Sequence, residues 1–246
     1  MKQEARLSMR EHRPSVYLVT LVFLVLTWIL SSLAAKTIFP GRSIQEVSTQ
    51  ISQAMTALQE GAITAEQFSR KLNALRASSP LSSLVNLAIS IVSMMLTVGF
   101  SFFCLNVSRG AAAGVGTLLD PFGIFFKVLW LNILIGIFTF LWSLLLVIPG
   151  IVAAYRYSFA IYILLDDPDK GALQCIRESK ALTRGHKWEL FVLDLSFIGW
   201  HLLTIIPFVS IYVDPYVGTT KANYYRHISG RLGAIAPDGE AAAAEY

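Results

Sequence analysis

Apolar residues in this chain come in long blocks rather than in alternation, beginning with Val16–Leu33 and Leu84–Leu105, which hold almost no charge. A block of about 20 apolar residues is what a ~30 Å hydrocarbon layer requires of a helix, and a soluble domain has no use for several of them. Six stretches qualify in whole or in part: Ser15–Phe39, Leu81–Val107, Phe122–Ile148, Ile151–Leu165, Lys187–Pro207 and Tyr212–Ile228. The fourth is short and contains Arg156; the sixth is the weakest, with Asp214, Pro215 and Lys221 inside it. The pattern predicts an all-α membrane bundle of about six spans built as three hairpins. The first stretch outlasts the ~7–15 apolar residues of a signal peptide, so it reads as an uncleaved anchor despite the cleavage-like Ser32-Leu33-Ala34.

Between the blocks the pattern changes to helical amphipathicity. In residues 40–80, Ile44, Val47, Ile51, Met55 and Leu58 recur at helical spacing, as do Ala65, Phe68, Leu72 and Leu75. Ser43-x-x-Glu46 and Thr64-x-x-Gln67 have the form of capping boxes, and Gly61 separates the two runs. A helical hairpin is predicted there. A second segment, 168–184, is predicted to be a helix along the membrane surface. Asp167-Pro168-Asp169 reads as its start and Gly185 as its stop. Arg177, Lys180 and Arg184 fall on one face, and with Lys187 they are candidate contacts for anionic lipid headgroups. The domain reading is thus a cytoplasmic N-terminus (1–14), a membrane domain (15–229) and a flexible C-terminal tail (230–246).

Charge orients the bundle. The chain is 54% hydrophobic and 15% charged, and its net charge of +4 is a matter of loop placement rather than of nucleic-acid binding. With the N-terminus inside, segments 1–14, 106–127, 166–187 and 221–246 hold 14 Lys and Arg, and the 40–80 side holds five, counting Lys36. The excess favours both termini in the cytoplasm. Trp28, Trp130, Trp142, Trp188 and Trp200 near the ends of stretches fit an aromatic belt. Two cysteines, Cys104 and Cys175, are too few for a disulfide framework. Arg156 and Asp194 lie at similar depths below the cytoplasmic face, and intramembrane charges face the bundle and pair. A buried Arg156–Asp194 pair is therefore expected, with Asn132 as a hydrogen-bonding neighbour. The second and third hairpins share a faint pattern. Lys127…Asn132 and Lys187…Asp194 open them, Pro149 and Pro215 mark their turns, and tyrosines follow.

Trp142-Ser-Leu-Leu-Leu-Val-Ile-Pro-Gly-Ile151, Tyr155-Arg-Tyr157, Asp167-Pro168, Ile176-Arg-Glu-Ser179, Gly185-His-Lys-Trp-Glu-Leu-Phe191 and Leu193-Asp-Leu-Ser-Phe-Ile-Gly-Trp200 together resemble a bacterial family of integral membrane proteins, the domain of unknown function 975. They are similar, more distantly, to the membrane domain attached to some glycerophosphodiester phosphodiesterases. The resemblance implies a fold and a location in the bacterial cytoplasmic membrane, and no chemistry. Before Pro215-Tyr216 this chain has Ile205–Asp214 where the family has a Gly-rich apolar run. No phosphate-binding loop, nucleophile elbow or metal cluster stands out, and His186 with Glu189 gives two potential ligands where a metal site needs more. The expectation is a non-enzymatic scaffold, accessory or regulatory protein with no cofactor. Its expected partners are membrane lipids, anionic headgroups above all, and a further membrane protein. A small transporter or export accessory is the alternative. A lipid-modifying enzyme using Asp166, Asp167, His186 or Glu189 is the third.

Overall fold

The computed structural model describes residues 2–11, 15–38, 44–75, 80–111, 113–145, 147–203 and 209–235. Every regular element among these is helical. In chain order they are α1 (Lys2–Glu11), α2 (Ser15–Ile38), α3 (Ile44–Gln59), α4 (Ala65–Leu75), α5 (Pro80–Ser108), two 3-10 turns (Val115–Leu118 and Asp120–Ile124), α6 (Phe125–Leu145), α7 (Val147–Tyr157), α8 (Ala160–Asp166), α9 (Ala172–Leu182), α10 (Lys187–Leu195), α11 (Ile198–Leu203) and α12 (Ser210–Ile235). They form two compact units, Val25–Met94 and Met1–Leu24 with Met95–Tyr246.

Among the described residues three helical segments are long and apolar enough to cross a membrane: Val16–Ile38, Pro80–Ser108 and Val115–Leu144. They match the first three predicted spans closely, and the chain is a membrane protein on that evidence. Their outward side chains are what hydrocarbon would solvate. Trp28, Leu84, Phe126, Phe140 and Leu144 are all exposed in the isolated chain. The other three predicted spans take different forms. The fourth is divided into α7 and α8, the fifth into α10 and α11, with 204–208 outside the described residues. The sixth is one continuous helix, α12, which carries Pro215 inside it. Pro215 is therefore not at a turn. Nor does Pro149-Gly150 form one, since both residues lie within α7. Gly150 serves a different need there. A Cβ on it would lie 2.2 Å from Ser143 Oγ and 2.8 Å from Ser143 Cα, so only glycine lets α7 fold back so tightly on α6.

The unit of residues 25–94 contains the predicted helical hairpin. Thr64 and Gln67 form the reciprocal capping box: Gln67 N–H donates to Thr64 Oγ1 at 3.3 Å and Thr64 N–H to Gln67 Oε1 at 3.0 Å. Gly61 adopts φ +71 between α3 and α4. Val47 and Ala54 are buried, whereas Met55, expected on the apolar stripe, is exposed. Ser43, which would open the first capping box, lies outside the described residues. In the same unit Thr37 Oγ1 on α2 lies 2.9 Å from Asn86 Oδ1 on α5.

The larger unit has a core of Met9, Val16, Val19, Phe100, Phe103, Cys104, Val107, Leu118, Phe197 and Tyr216. Phe23 stacks on Phe100 with centroids 4.4 Å apart. The segment 1–14, expected only as a cytoplasmic start, supplies a helix that buries Ala5 and Met9 in this core. Lys2 Nζ donates to Ser196 Oγ at 2.7 Å and lies over the Phe197 ring, and the Arg6 guanidinium lies over Tyr216. Trp28, Trp130, Trp142 and Trp188 are exposed as a belt requires. Trp200 instead packs on Tyr212 and Tyr216. α12 runs on to Ile235, past the predicted start of the tail, and 236–246 lie outside the described residues.

Candidate functional site

α7 ends at Tyr157 and α8 begins at Ala160, which leaves main-chain groups in the break without helical partners. α9 supplies them. Phe159 N–H donates to Ser179 Oγ at 3.2 Å, and Ser179 Oγ donates to the Arg156 carbonyl at 2.9 Å. Thr183 Oγ1 reaches the same carbonyl at 3.5 Å. Ser179 and Thr183 are both fully buried. Buried main-chain polar groups need such partners, so the interruption of the helix and the position of α9 specify each other. Sequence reasoning passed over Ser179 and Thr183. Their signal was two small hydroxyl residues at i and i+4 on an otherwise charged helix.

The predicted surface helix is present but shorter, and its start is elsewhere. α9 begins after Gly171, which has no side-chain cap, and Asp167 instead closes α8. Asp167 Oδ1 accepts from Asp169 N–H at 3.3 Å, and Lys170 N–H donates to the Asp167 carbonyl. The Asp-Pro-Asp run thus makes a local turn, the alternative use of the same side-chain chemistry. Its end agrees with expectation: the turn after Thr183 reaches Gly185 at φ +84, a conformation that only glycine adopts cheaply.

The expected pair of Arg156 with Asp194 is not formed. Asp194 Oδ1 pairs with Lys221 Nζ of α12 at 3.0 Å. Asn132 donates to the Val128 carbonyl of its own helix. Depth counting missed this because it took the fourth and fifth spans as unbroken and assigned Lys221 to the cytoplasmic end. Arg156 instead lines a cavity of about 590 Å³ together with Arg177, Lys180, Ala181, Arg184 and Lys187. All four candidate headgroup contacts are therefore brought to one place, and the structure adds a fifth cation. Arg177, Lys180 and Arg184 are exposed, and Lys187 and Arg156 are half-buried. Arg156 Nε is buried without a hydrogen-bond partner.

The neighbouring acids are committed elsewhere. Glu178 takes Lys170 at 2.8 Å and Gln174 at 2.9 Å. That hydrogen bond from Lys170 to Glu178 is the main reason the Lys170 ammonium titrates above its ordinary value. Glu189 accepts from Tyr224 OH at 2.6 Å and meets His186 Nδ1 at 3.1 Å. Asp166 pairs with Arg109 at 2.6 Å and accepts from Tyr225 OH at 2.8 Å. Of the residues weighed for enzyme chemistry, Asp166 and Glu189 tie helices together, Asp167 holds a local turn, and His186 meets Glu189 one turn on. Among the described residues no group of three or more His, Cys, Asp or Glu is placed to hold a metal ion.

The same ties gather the ends that charge counting put on one side of the membrane. Arg109 after α5 meets Asp166 at the end of α8, Lys127 Nζ donates to the Pro168 carbonyl at 2.6 Å, and Arg226 of α12 donates to the Ser108 carbonyl. Both cysteines are free and buried.

No curated protein and no solved structure matches the chain. A family model described as "Protein of unknown function (DUF975)" matches residues 143–232. That span includes the broken fourth stretch, α9 with its basic face, and α10 to most of α12. Over residues 143–232 the chain is similar to this family of unknown function.

Proposed function

We propose that the protein is a non-enzymatic integral membrane protein of the bacterial cytoplasmic membrane, a scaffold, accessory or regulatory subunit whose inner face engages anionic lipid. The observation that carries this is the convergence of Arg156, Arg177, Lys180, Arg184 and Lys187 on one cavity at the family-matched end of the chain. Clustered cations on a surface helix hold anionic headgroups, each contributing about 1 kcal/mol near a charged leaflet. Asp166 and Glu189 are engaged with Arg109, Tyr225 and Tyr224 in ties between helices, and Glu178 and His186 in local contacts, which suits a binding surface better than a reaction centre. The 14-to-5 distribution of Lys and Arg supports both termini inside, and the meeting of Arg109, Lys127 and Asp166 supports a common side for their loops. In this reading α7–α8 and α10–α11 complete the membrane domain as interrupted spans and α12 as a polar one.

A test is to purify the full chain from its native membrane in mild detergent and to identify crosslinked partners by mass spectrometry. A membrane protein retained in near-equal amount is the expected result. A chain that purifies alone, and that conducts solutes in reconstituted vesicles, would sink the accessory reading. The transporter reading has one observation in its favour, the pair of breaks at 158–159 and 196–197. Interrupted helices in corresponding halves are how secondary transporters build a site near the midplane.

A further inference from the structure

We infer that the cavity between α7, α9 and the start of α10 is a site for a phosphate group bearing two or more negative charges, a phosphomonoester or a diphosphate, with Arg156 as its innermost donor. The inference rests on the reading of this face as anion-binding and adds to it a specific ligand chemistry and a further residue.

Residues 156–195 contain six Lys or Arg and six Asp or Glu, so the stretch is neutral as a whole. Its charges are nevertheless segregated. Glu178, Glu189 and Asp194 bind Lys170, His186 with Tyr224, and Lys221 respectively, while Asp166 binds Arg109. Asp167 and Asp169 belong to the turn before α9. Among the described residues none of the five cavity cations makes an ion pair. Placing five cations around one volume costs repulsion that the nearby acids do not relieve. A mere positive-inside bias would be satisfied by cations spread over an open face. Here Arg156 reaches the same cavity from a different helix, its main chain fixed by Ser179 and Thr183.

The geometry also selects among anions. The cavity of about 590 Å³ lies within the range of roughly 300–1,000 Å³ typical of small-molecule sites. Three of its cations are arginines, whose planar donors match phosphate oxygens in pairs. Arg156 Nε, buried and lacking an acceptor, is the donor such an oxygen would satisfy. A phosphodiester headgroup carries a single negative charge, and five cations exceed what it can neutralise. A terminal phosphate, on a lipid or free in the cytoplasm, supplies more charge and more acceptor oxygens.

The test uses the full chain in nanodiscs of phosphatidylcholine containing a minor fraction of phosphatidic acid or of phosphatidylglycerol, with retained lipid read by native mass spectrometry. A parallel arm follows thermal unfolding in detergent with inorganic pyrophosphate. The wild type is expected to retain phosphatidic acid about tenfold over phosphatidylglycerol, the worth of one further charge-assisted hydrogen bond. Arg156→Gln should abolish that preference while keeping the preference for phosphatidylglycerol over phosphatidylcholine. Lys180→Gln, at an exposed position where folding is not at stake, should reduce the preference. Arg70→Gln on α4 should leave it unchanged. Stabilisation by pyrophosphate without enrichment of phosphatidic acid keeps the site and assigns it to a soluble phosphate. Absence of both effects in a folded wild type overturns the inference, as does a preference that survives both Arg156→Gln and Lys180→Gln. Loss of the phosphatidylglycerol preference in the wild type would remove the underlying anion-binding reading as well.

Discussion

Asp194 and Lys221 meet at 3.0 Å, with side chains 35% and 41% exposed in the isolated chain. Pairs this accessible contribute at most about 1 kcal/mol, and neighbours in contact couple while distant residues do not. A double-mutant cycle of Asp194→Asn with Lys221→Met, followed by unfolding in mixed micelles, should therefore show coupling of about 0.5–1 kcal/mol. The cycle of Asp194→Asn with Arg156→Leu should be additive within about 0.5 kcal/mol. The opposite ranking would restore the pairing expected from depth alone. Cys175 offers a second reading at this scale. It is fully buried, and burial first and the nearby Glu178 second push its thiol above the ordinary value. Thiolate is the reactive form, so at neutral pH Cys175 should resist iodoacetamide in the folded chain and react once the chain is denatured. Mass spectrometry of the labelled peptide decides it, and ready labelling under native conditions would show that α9 opens.

Between elements, contact geometry makes sharper demands than propensity does. Gly150→Ala would set a Cβ 2.8 Å from Ser143 Cα, a contact with main chain that no rotamer can relieve. Prising α7 from α6 should cost about 1–3 kcal/mol, as overpacking typically does. A lowered unfolding temperature in detergent, not rescued by Ser143→Ala, is the expected result. Full stability of Gly150→Ala would mean that the two helices meet less closely. The elements legible in the sequence are those whose causes are local. The apolar runs place α2 and α5 within a residue or two, Thr64-x-x-Gln67 starts α4, and Gly185 follows α9. Illegible were features decided by residues far away in sequence. Tyr157-Ser158-Phe159 contains no breaker, and the helix stops there because Ser179 and Thr183 satisfy its freed groups. Asp167-Pro168-Asp169 fits a helix cap and a turn equally well, and its surroundings chose the turn. The candidate site was half visible. The spacing of Arg177, Lys180 and Arg184 showed a basic face, but only the fold brings Arg156 to it.

For the molecule as a whole, the prediction is topological. Glu60→Cys, in the turn between α3 and α4, should be labelled by an impermeant maleimide from outside intact cells. Ala111→Cys, exposed after α5, should be labelled only after the membrane is opened. Labelling of Glu60→Cys from the cytoplasmic side alone would invert the orientation and with it the placement of the basic cavity. The docking of α1 adds a matter of timing. Lys2 finds Ser196 across 194 positions of chain, and Ala5 and Met9 are buried in a core that includes Tyr216 of α12. During synthesis α1 exists long before the surface it covers. Contacts that span so much chain are late and slow to form. Until then a polar helix with one apolar edge waits uncovered, where a chaperone or an insertion factor can hold it. The larger unit therefore closes last at its beginning, and a chain halted before α12 leaves that edge uncovered for a protease to find.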